Sequence, residues 1–324
     1  MIYLDNNATT APDPQVVEAM LPFLREHFAN PSSGYAAAKP VRLALARARG
    51  QAAALLDVTP EEIVFTSGGS EADNAALFSA VRLFPERKHI ITCAAEHDAV
   101  LQCCAWLERH EGCEITRLGV SQEGVVSLDE LAAALRPGRT ALVSLMWSNN
   151  ETGVLAPVLE AAALAEQAGA LFHTDAVAAG GKFPLRLRDS AVHYLALSGH
   201  KFHAPKGVGL LYVNRRVAFQ PWLLGGGQEN RRRASTENVA GIVALGAAAA
   251  LAQAHLAGTD GTAVLRDHFE CELARRVPGV AINGQGALRA ANTSSLRIAG
   301  CEAAAMMVLL DRAGVCVRDR KSVV

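Results

Sequence analysis

Tyr194-Leu195-Ala196-Leu197-Ser198-Gly199-His200-Lys201-Phe202-His203-Ala204-Pro205-Lys206-Gly207 is a short apolar run that breaks into a small, polar, lysine-bearing turn. Its first five residues read as a buried strand bounded by a turn. In an open parallel sheet, ligands sit beyond the carboxyl ends of the strands, so the residues just after Ser198 are where chemistry is expected. Lys201, among apolar and aromatic neighbours and near other cations, suits a lowered pKa and attack on an aldehyde. The plain alternative is a surface turn with solvated lysines, and that reading fits Lys206.

Outward from this stretch the same grammar repeats. Glu62 to Thr66, His89 to Cys93, Ala141 to Trp147, Leu171 to Thr174 and Gly209 to Val213 read as further strands. They alternate with helical stretches such as Pro40 to Leu56 and Leu155 to Ala168, the pattern of an α/β protein with a mainly parallel sheet. Polar text from His255 to Thr262 marks a boundary between a large domain and a smaller C-terminal one.

Two other strand ends carry chemistry. After Thr66, the turn Ser67-Gly68-Gly69-Ser70 opens a helix and offers N–H groups and a hydroxyl to a phosphate, although a Gly-Gly turn starts many helices. Asp175, following His173-Thr174, suits a carboxylate paired with a pyridinium N–H; a helix N-cap is its ordinary alternative. With Asp175 in play, the surface reading of Lys201 loses ground.

Composition bounds the rest. The chain has 324 residues, half of them hydrophobic, with 31 Lys and Arg against 32 Asp and Glu and a formal net charge of -1. That is enough to bury one or two large cores, and so even a balance gives no reason to expect nucleic acid or an anionic membrane as partner. Arg231, Arg232 and Arg233 are the one dense basic spot and would ordinarily be solvated. Met1-Ile2-Tyr3-Leu4-Asp5 shows no export signal, so a cytoplasmic location is expected. The longest apolar stretch, Val239 to Ala252, is too short for a membrane span and reads as a buried helix. Seven scattered cysteines lack C-x-x-C spacing, which predicts reduced thiols and no metal site. No G-x-G-x-x-G follows the first strand, which disfavours a nucleotide-binding dehydrogenase.

Taken together the motifs carry a resemblance. Asp5-Asn6-Asn7-Ala8-Thr9-Thr10, Asn30-Pro31-Ser32-Ser33, Phe65-Thr66-Ser67-Gly68, Glu96-His97, Trp147-Ser148-Asn149-Asn150-Glu151-Thr152-Gly153, His173-Thr174-Asp175-Ala176-Val177, Ser198-Gly199-His200-Lys201, Ala204-Pro205-Lys206-Gly207 and Thr236-Glu237-Asn238 stand in the order found in cysteine desulfurases. The chain most resembles their nitrogen-fixation-type branch, from Tyr3 to about Val317. The resemblance implies a fold-type-I pyridoxal-phosphate enzyme of the class V aminotransferase group: residues 15-255 as the large cofactor-binding domain, 256-324 as an incomplete small α+β domain, and 1-14 associated with it. It implies a homodimer, L-cysteine as substrate, and an iron-sulfur scaffold or another protein as sulfur acceptor.

By the same resemblance, Lys201 matches the Schiff-base lysine, Asp175 the partner of the pyridine nitrogen, and His97 the imidazole stacked on the ring and serving catalysis. Gly69, Ser70, Ser198 and His200 match phosphate-binding positions, Asn150 the contact to the ring oxygen, and Thr236 a threonine donated by the second subunit. Taken alone, His97 is more often a capping histidine, and Asn149-Asn150 a turn.

The departures are specific. Gly314-Val315-Cys316-Val317 is followed by Arg318-Asp319-Arg320-Lys321-Ser322-Val323-Val324 where the family has a loop of the type S-S-G-S-A-C. The nucleophile's position falls at Val323, and Cys316 matches a small buried residue instead. The expectation is a chain truncated at its C-terminus, with sulfur transfer impaired, or a non-catalytic cofactor-binding or interaction subunit; a related selenocysteine lyase is a further reading. Ala178 replaces a usual glutamine, Tyr35 and Ala38 stand where His and Gly are common, and Ser235 replaces Gly before Thr236, where strain is expected.

Overall fold

Six runs bury every side chain they contain, and with one half-exposed edge strand they make a seven-stranded sheet. In chain order these are β1 (Ile63–Thr66), β2 (His89–Cys93), β3 (Glu114–Leu118), β4 (Thr140–Ser144), β5 (Leu171–Asp175), β6 (Tyr194–Ser198) and β7 (Gly209–Val213). Burial on both faces explains why five of the six runs are continuously apolar apart from short polar residues near their ends, the signature of a sheet covered on both sides. The computed structural model describes residues 1–258 and 261–319.

The spatial order is β1-β7-β6-β5-β4-β2-β3. β7 runs antiparallel to both β1 and β6, and the other pairings are parallel. The carboxyl ends of β1, β2, β4, β5 and β6 therefore share one edge of the sheet. This bears out the α/β expectation. β3 was not anticipated, because Glu114-Ile-Thr-Arg-Leu118 alternates weakly and faces water at the sheet edge. Strand bounds also shift: Glu62 belongs to a short 3-10 turn whose Thr59 forms a capping box with it, and β4 stops at Ser144, three residues before Trp147. The expected helix from Leu155 starts at Val158, after Pro157.

The other edge strand, β1, is sealed by charge. Glu229 Oε2 accepts the Phe65 N–H at 2.9 Å, while Arg49 Nη1 and Arg232 Nη2 donate to the Ile63 carbonyl at 2.7 and 3.3 Å. Arg49 also grips Glu229 with two bonds of 2.6 and 2.8 Å. An open row of strand groups is thereby satisfied without another strand. Arg233 pairs with Glu71 at 2.8 Å. Two of the three consecutive arginines are thus structural, and the solvated reading holds only for Arg231.

The helix Val239–Leu256 packs against Ala38–Leu56 and Pro14–Arg25. A Cβ on Gly246 would lie 2.5 Å from Ala48 Cα, so glycine is what permits this close crossing. At 18 residues it is also long and apolar enough to cross a bilayer by length and composition, yet its buried residues line the core of the sheet protein.

Ile2–Tyr3 pairs in parallel with Val315–Cys316, and Val280–Ile282 pairs with Leu296–Ile298. The expected boundary segment His255 to Thr262 includes two residues outside the described set, as does Val323, the position matched to the family's nucleophile.

Candidate active site

The helix Gly69–Leu83 begins where β1 delivers it, with Gly68 as its N-cap. A Cβ at Gly69 would lie 2.5 Å from Val177 Cγ2, so only glycine lets this turn press against the residues after Asp175. The first-turn N–H groups of a helix have no partner within it and favour an anion. Glu71, at that N-terminus, accepts the Ser67 N–H at 2.8 Å; burial opposes its charge, and Arg233 with Ser67 prevails and holds its carboxyl below the usual range. Ser70 is exposed at the same turn, and Ser198, buried at the end of β6, lies beside it, its Oγ 3.8 Å from where a Gly68 Cβ would stand.

Asp175 ends β5 with 5% of its surface exposed. Its Oδ1 accepts the Val177 N–H at 2.8 Å, the local N-cap-like bond that the sequence left as an alternative. Burial first, and then the nearby Asp73, push its carboxyl up to about 7, while His173 and His97 pull it down. A carboxyl in that state ionises readily once a cation comes beside it. His97 caps the helix Asp98–Glu111, its Nδ1 accepting the Ala99 N–H at 3.1 Å. The ring is therefore fixed by its cap, as the local reading held, and capping leaves its other face and Nε2 uncommitted to that bond.

Lys201 closes the short 3-10 turn after β6. Its Nζ donates to the main-chain oxygens of Asn7 and, at 3.0 Å, Ala8. Asn7 is the centre of a wider knot. Its Oδ1 accepts from Lys182 Nζ at 2.9 Å and Asn292 Nδ2 at 3.1 Å, and its Nδ2 donates to Thr293 Oγ1 at 2.9 Å and the Asn150 oxygen at 3.3 Å. Burial, with Lys201 nearby, lowers Lys182 to about 8. Burial and the two lysines Lys201 and Lys206 also lower His200, whose Nδ1 lies 3.1 Å from Thr9 Oγ1.

Asn149, rather than Asn150, builds the turn after Trp147. Its Oδ1 accepts from the N–H groups of Glu151 and Thr152, both at 3.0 Å, and its Nδ2 reaches the Ala95 carbonyl at 3.2 Å. Thr236 is exposed, and the preceding Ser235 has φ 86°, the left-handed region that the glycine-to-serine departure predicted would be strained. Sequence reasoning gave no role to Asp73, Glu96, Lys182 or Asn7. Lys182 carried a faint signal, a lone cation after Gly180-Gly181 in apolar text. The others are ordinary polar residues until the fold buries Asp73 and Glu96 and ties Asn7 to Lys182 and Asn292.

Beyond the strand ends, then, lie a glycine-cradled helix N-terminus, a buried acid and a lysine amine, the parts of a site for an anionic ligand. Comparison with known proteins agrees. The aminotransferase class-V family model matches residues 2–323. Cysteine desulfurase 2 of Trichormus variabilis is 48% identical over 316 residues, 98% of this chain and 79% of that protein. The cysteine desulfurase of Klebsiella pneumoniae is 48% identical over 97% of this chain and 78% of its own. A solved NifS-like protein superposes with TM-score 0.92 at 35% identity, covering 98% of this chain and 87% of that one. The structure of SspA in complex with cysteine gives TM-score 0.85 at 31% identity, covering 98% and 89%. The chain belongs to the class V aminotransferase family. Within that family it falls in the cysteine desulfurase group.

Proposed function

We propose that this chain binds pyridoxal phosphate on Lys201 and acts on L-cysteine as cysteine desulfurases do, passing its sulfur toward an iron-sulfur scaffold or another acceptor protein. The observation that carries the reading is the convergence, on one sheet edge, of the Gly69 cradle, the buried Asp175 and the Lys201 amine. The residues fit the cofactor: a Cβ would fill the Gly69 cradle, and Asp175, raised by burial, lacks only a cationic partner. The helix N-terminus at Gly69 and Ser70, with Ser198 and His200, would hold its phosphate; Asp175 its ring nitrogen; His97 its face; and Asn150 its ring oxygen. Bound there, the cofactor supplies an electron sink for charge developing at the substrate's Cα.

The chain's own contribution is positioning and proton transfer. The Lys201 amine, held by two main-chain carbonyls, is the base for the Cα proton of cysteine. Asp175 keeps a negative charge where a protonated ring nitrogen needs one. On this reading the chain acts as a homodimer, with the exposed Thr236 offered to the partner's site.

Sulfur transfer needs a thiolate. Burial pushes Cys93 to about 11 and Cys104 to about 12, and raises Cys103 and Cys113 as well, so these four stay protonated at neutral pH. Cys316 sits in the strand paired with Ile2–Tyr3, and Cys271 and Cys301 are the exposed thiols. Those four are therefore not expected to take up the sulfur, while the chain is expected to exchange the Cα proton of cysteine with solvent deuterium. Incubation with cofactor and cysteine, read by absorbance, NMR and mass spectrometry, tests this. Lys201→Ala should abolish both the yellow absorbance and the exchange; a yellow band surviving in that variant sinks the assignment.

A further inference from the structure

Behind Asp175 lies a group of titratable side chains that the reaction above does not use. His173 precedes Asp175 by two positions on β5, so both point to the same face of the sheet. The helix Gly69–Leu83 lies on that face and brings Asp73 with it. Asp73 Oδ1 is 3.4 Å from His173 Nε2; the two side chains are 1% and 0% exposed, and neither atom has a hydrogen-bond partner elsewhere. On its other side, His173 Nδ1 lies 2.8 Å from Ser144 Oγ. Glu96, also buried, accepts the Met146 N–H through Oε1 and leaves Oε2 without a partner.

Three carboxyls and one imidazole so close together cannot all be charged in a dry interior. An unprotonated Asp73 would set a second negative charge beside Asp175 and oppose the one the cofactor needs. The geometry offers a neutral solution: an Asp73 hydroxyl facing a bare Nε2, with the Nδ1 proton on the Ser144 side. Burial drives the two partners to that form from opposite directions, raising Asp73 well above its usual range and lowering His173 to about 4.

We propose that Asp73 is held as a neutral acid donating to His173 Nε2, and that this pair positions the charge of the site by leaving Asp175 as the carboxylate free to ionise. The groups facing Asp175 are Asp73 from the helix, His173 from its own strand and His97 from the loop after β2, with the Val177 N–H bound to Oδ1. Glu96 in turn feels both Asp175 and Asp73, and burial keeps it toward the neutral acid. Asp73 and His173 are positioning residues that act through Asp175. The inference rests on reading Asp175 as the partner of the ring nitrogen, while its first test needs no cofactor.

That test is the infrared spectrum of the cofactor-free protein at neutral pH beside that of Asp73→Asn. The expected result is loss of a carbonyl stretch belonging to a protonated carboxylic acid, with NMR of the wild-type His173 ring showing a neutral imidazole protonated on Nδ1. A carboxylate band lost instead, or an imidazolium at His173, overturns the proposal. The second arm is the pH dependence of pyridoxal-phosphate affinity. Because an amide replaces a neutral acid, Asp73→Asn should leave the midpoint in place; a shift downward by about one pH unit is what removal of a buried anion would give, and it overturns the idea. If Asp73→Asn does not fold, the His173 NMR signal and the acid band of the wild type, followed through neutral pH, decide alone: a persistent acid with a neutral ring supports the pair, and ionisation of that acid below neutrality refutes it. Failure of the cofactor reading shows separately, as a yellow band that survives Lys201→Ala.

Discussion

The helix Gly69–Leu83 and the helix Ala303–Arg312 are both apolar enough to pack, and they meet opposite fates. The first buries nine of its fifteen residues between the sheet and its neighbours. The second buries none, and Met307, Val308 and Leu309 remain 36%, 48% and 63% exposed. The same contrast separates the two parts of the chain. Around the sheet, two large clusters of buried side chains account for the core. In the C-terminal region, Val264, Leu265 and Leu288 stand open to solvent, and the pair Arg289–Glu270, with each side chain 6% exposed, is one of the few buried features there. A site that must hold a carboxyl near neutrality needs the first environment, because burial is what moves Asp175.

The contrast is sharpest in what substitutions should do. Phe172→Ala, fully buried in β5, should cost about 4 kcal/mol in urea unfolding, the range for emptying an aromatic site in a closed core. Arg49→Met should follow at about 3 kcal/mol, because it strands a Glu229 carboxylate whose side chain is 3% exposed, and it should loosen the arginine loop from β1. Gly69→Ala drives a methyl toward Val177 and should cost about 2 kcal/mol together with much of the cofactor affinity, as calorimetry and absorbance titration can show.

Acid sets a smaller effect on the same core. His193 accepts the Phe172 N–H through Nδ1 at 3.0 Å, and burial lowers its imidazole to about 4. Its folded pKa lies below the unfolded value, so its share of stability is whole above about pH 6.5 and drains as pH falls toward 4. Between pH 7 and 6 the expected loss is about 0.7 kcal/mol, and His193→Gln should flatten that part of the pH profile. Leu309→Ala should change stability by less than about 0.5 kcal/mol, since its side chain is mostly in water already. If Leu309→Ala instead costs as much as Phe172→Ala, the two regions do not differ as described.

Legibility followed the same division. β2, β6 and β7 match the sequence expectation residue for residue, because a continuous apolar run bounded by turn residues has few other ways to be buried. β3 escaped notice because an edge strand faces solvent and loses that signal. Lys201 and Asp175 stood out by following strands, where a parallel sheet puts its ligands. His97 did not, since its cap bond to Ala99 is one that any loop histidine can make, and its motif alone drew attention to it.

By itself the sequence determined the α/β order, the buried strands and the family, and it set Lys201 just past a strand end, since each depends on patterns that local periodicity and ordered motifs carry. Only the tertiary structure decided the charge of the site. Asp73, His173, Glu96 and Asp175 are separated by up to about a hundred positions in the chain, and nothing local makes them acids or bases out of the ordinary. The fold takes them out of water together, and a buried charge is governed by its neighbours in space rather than in sequence.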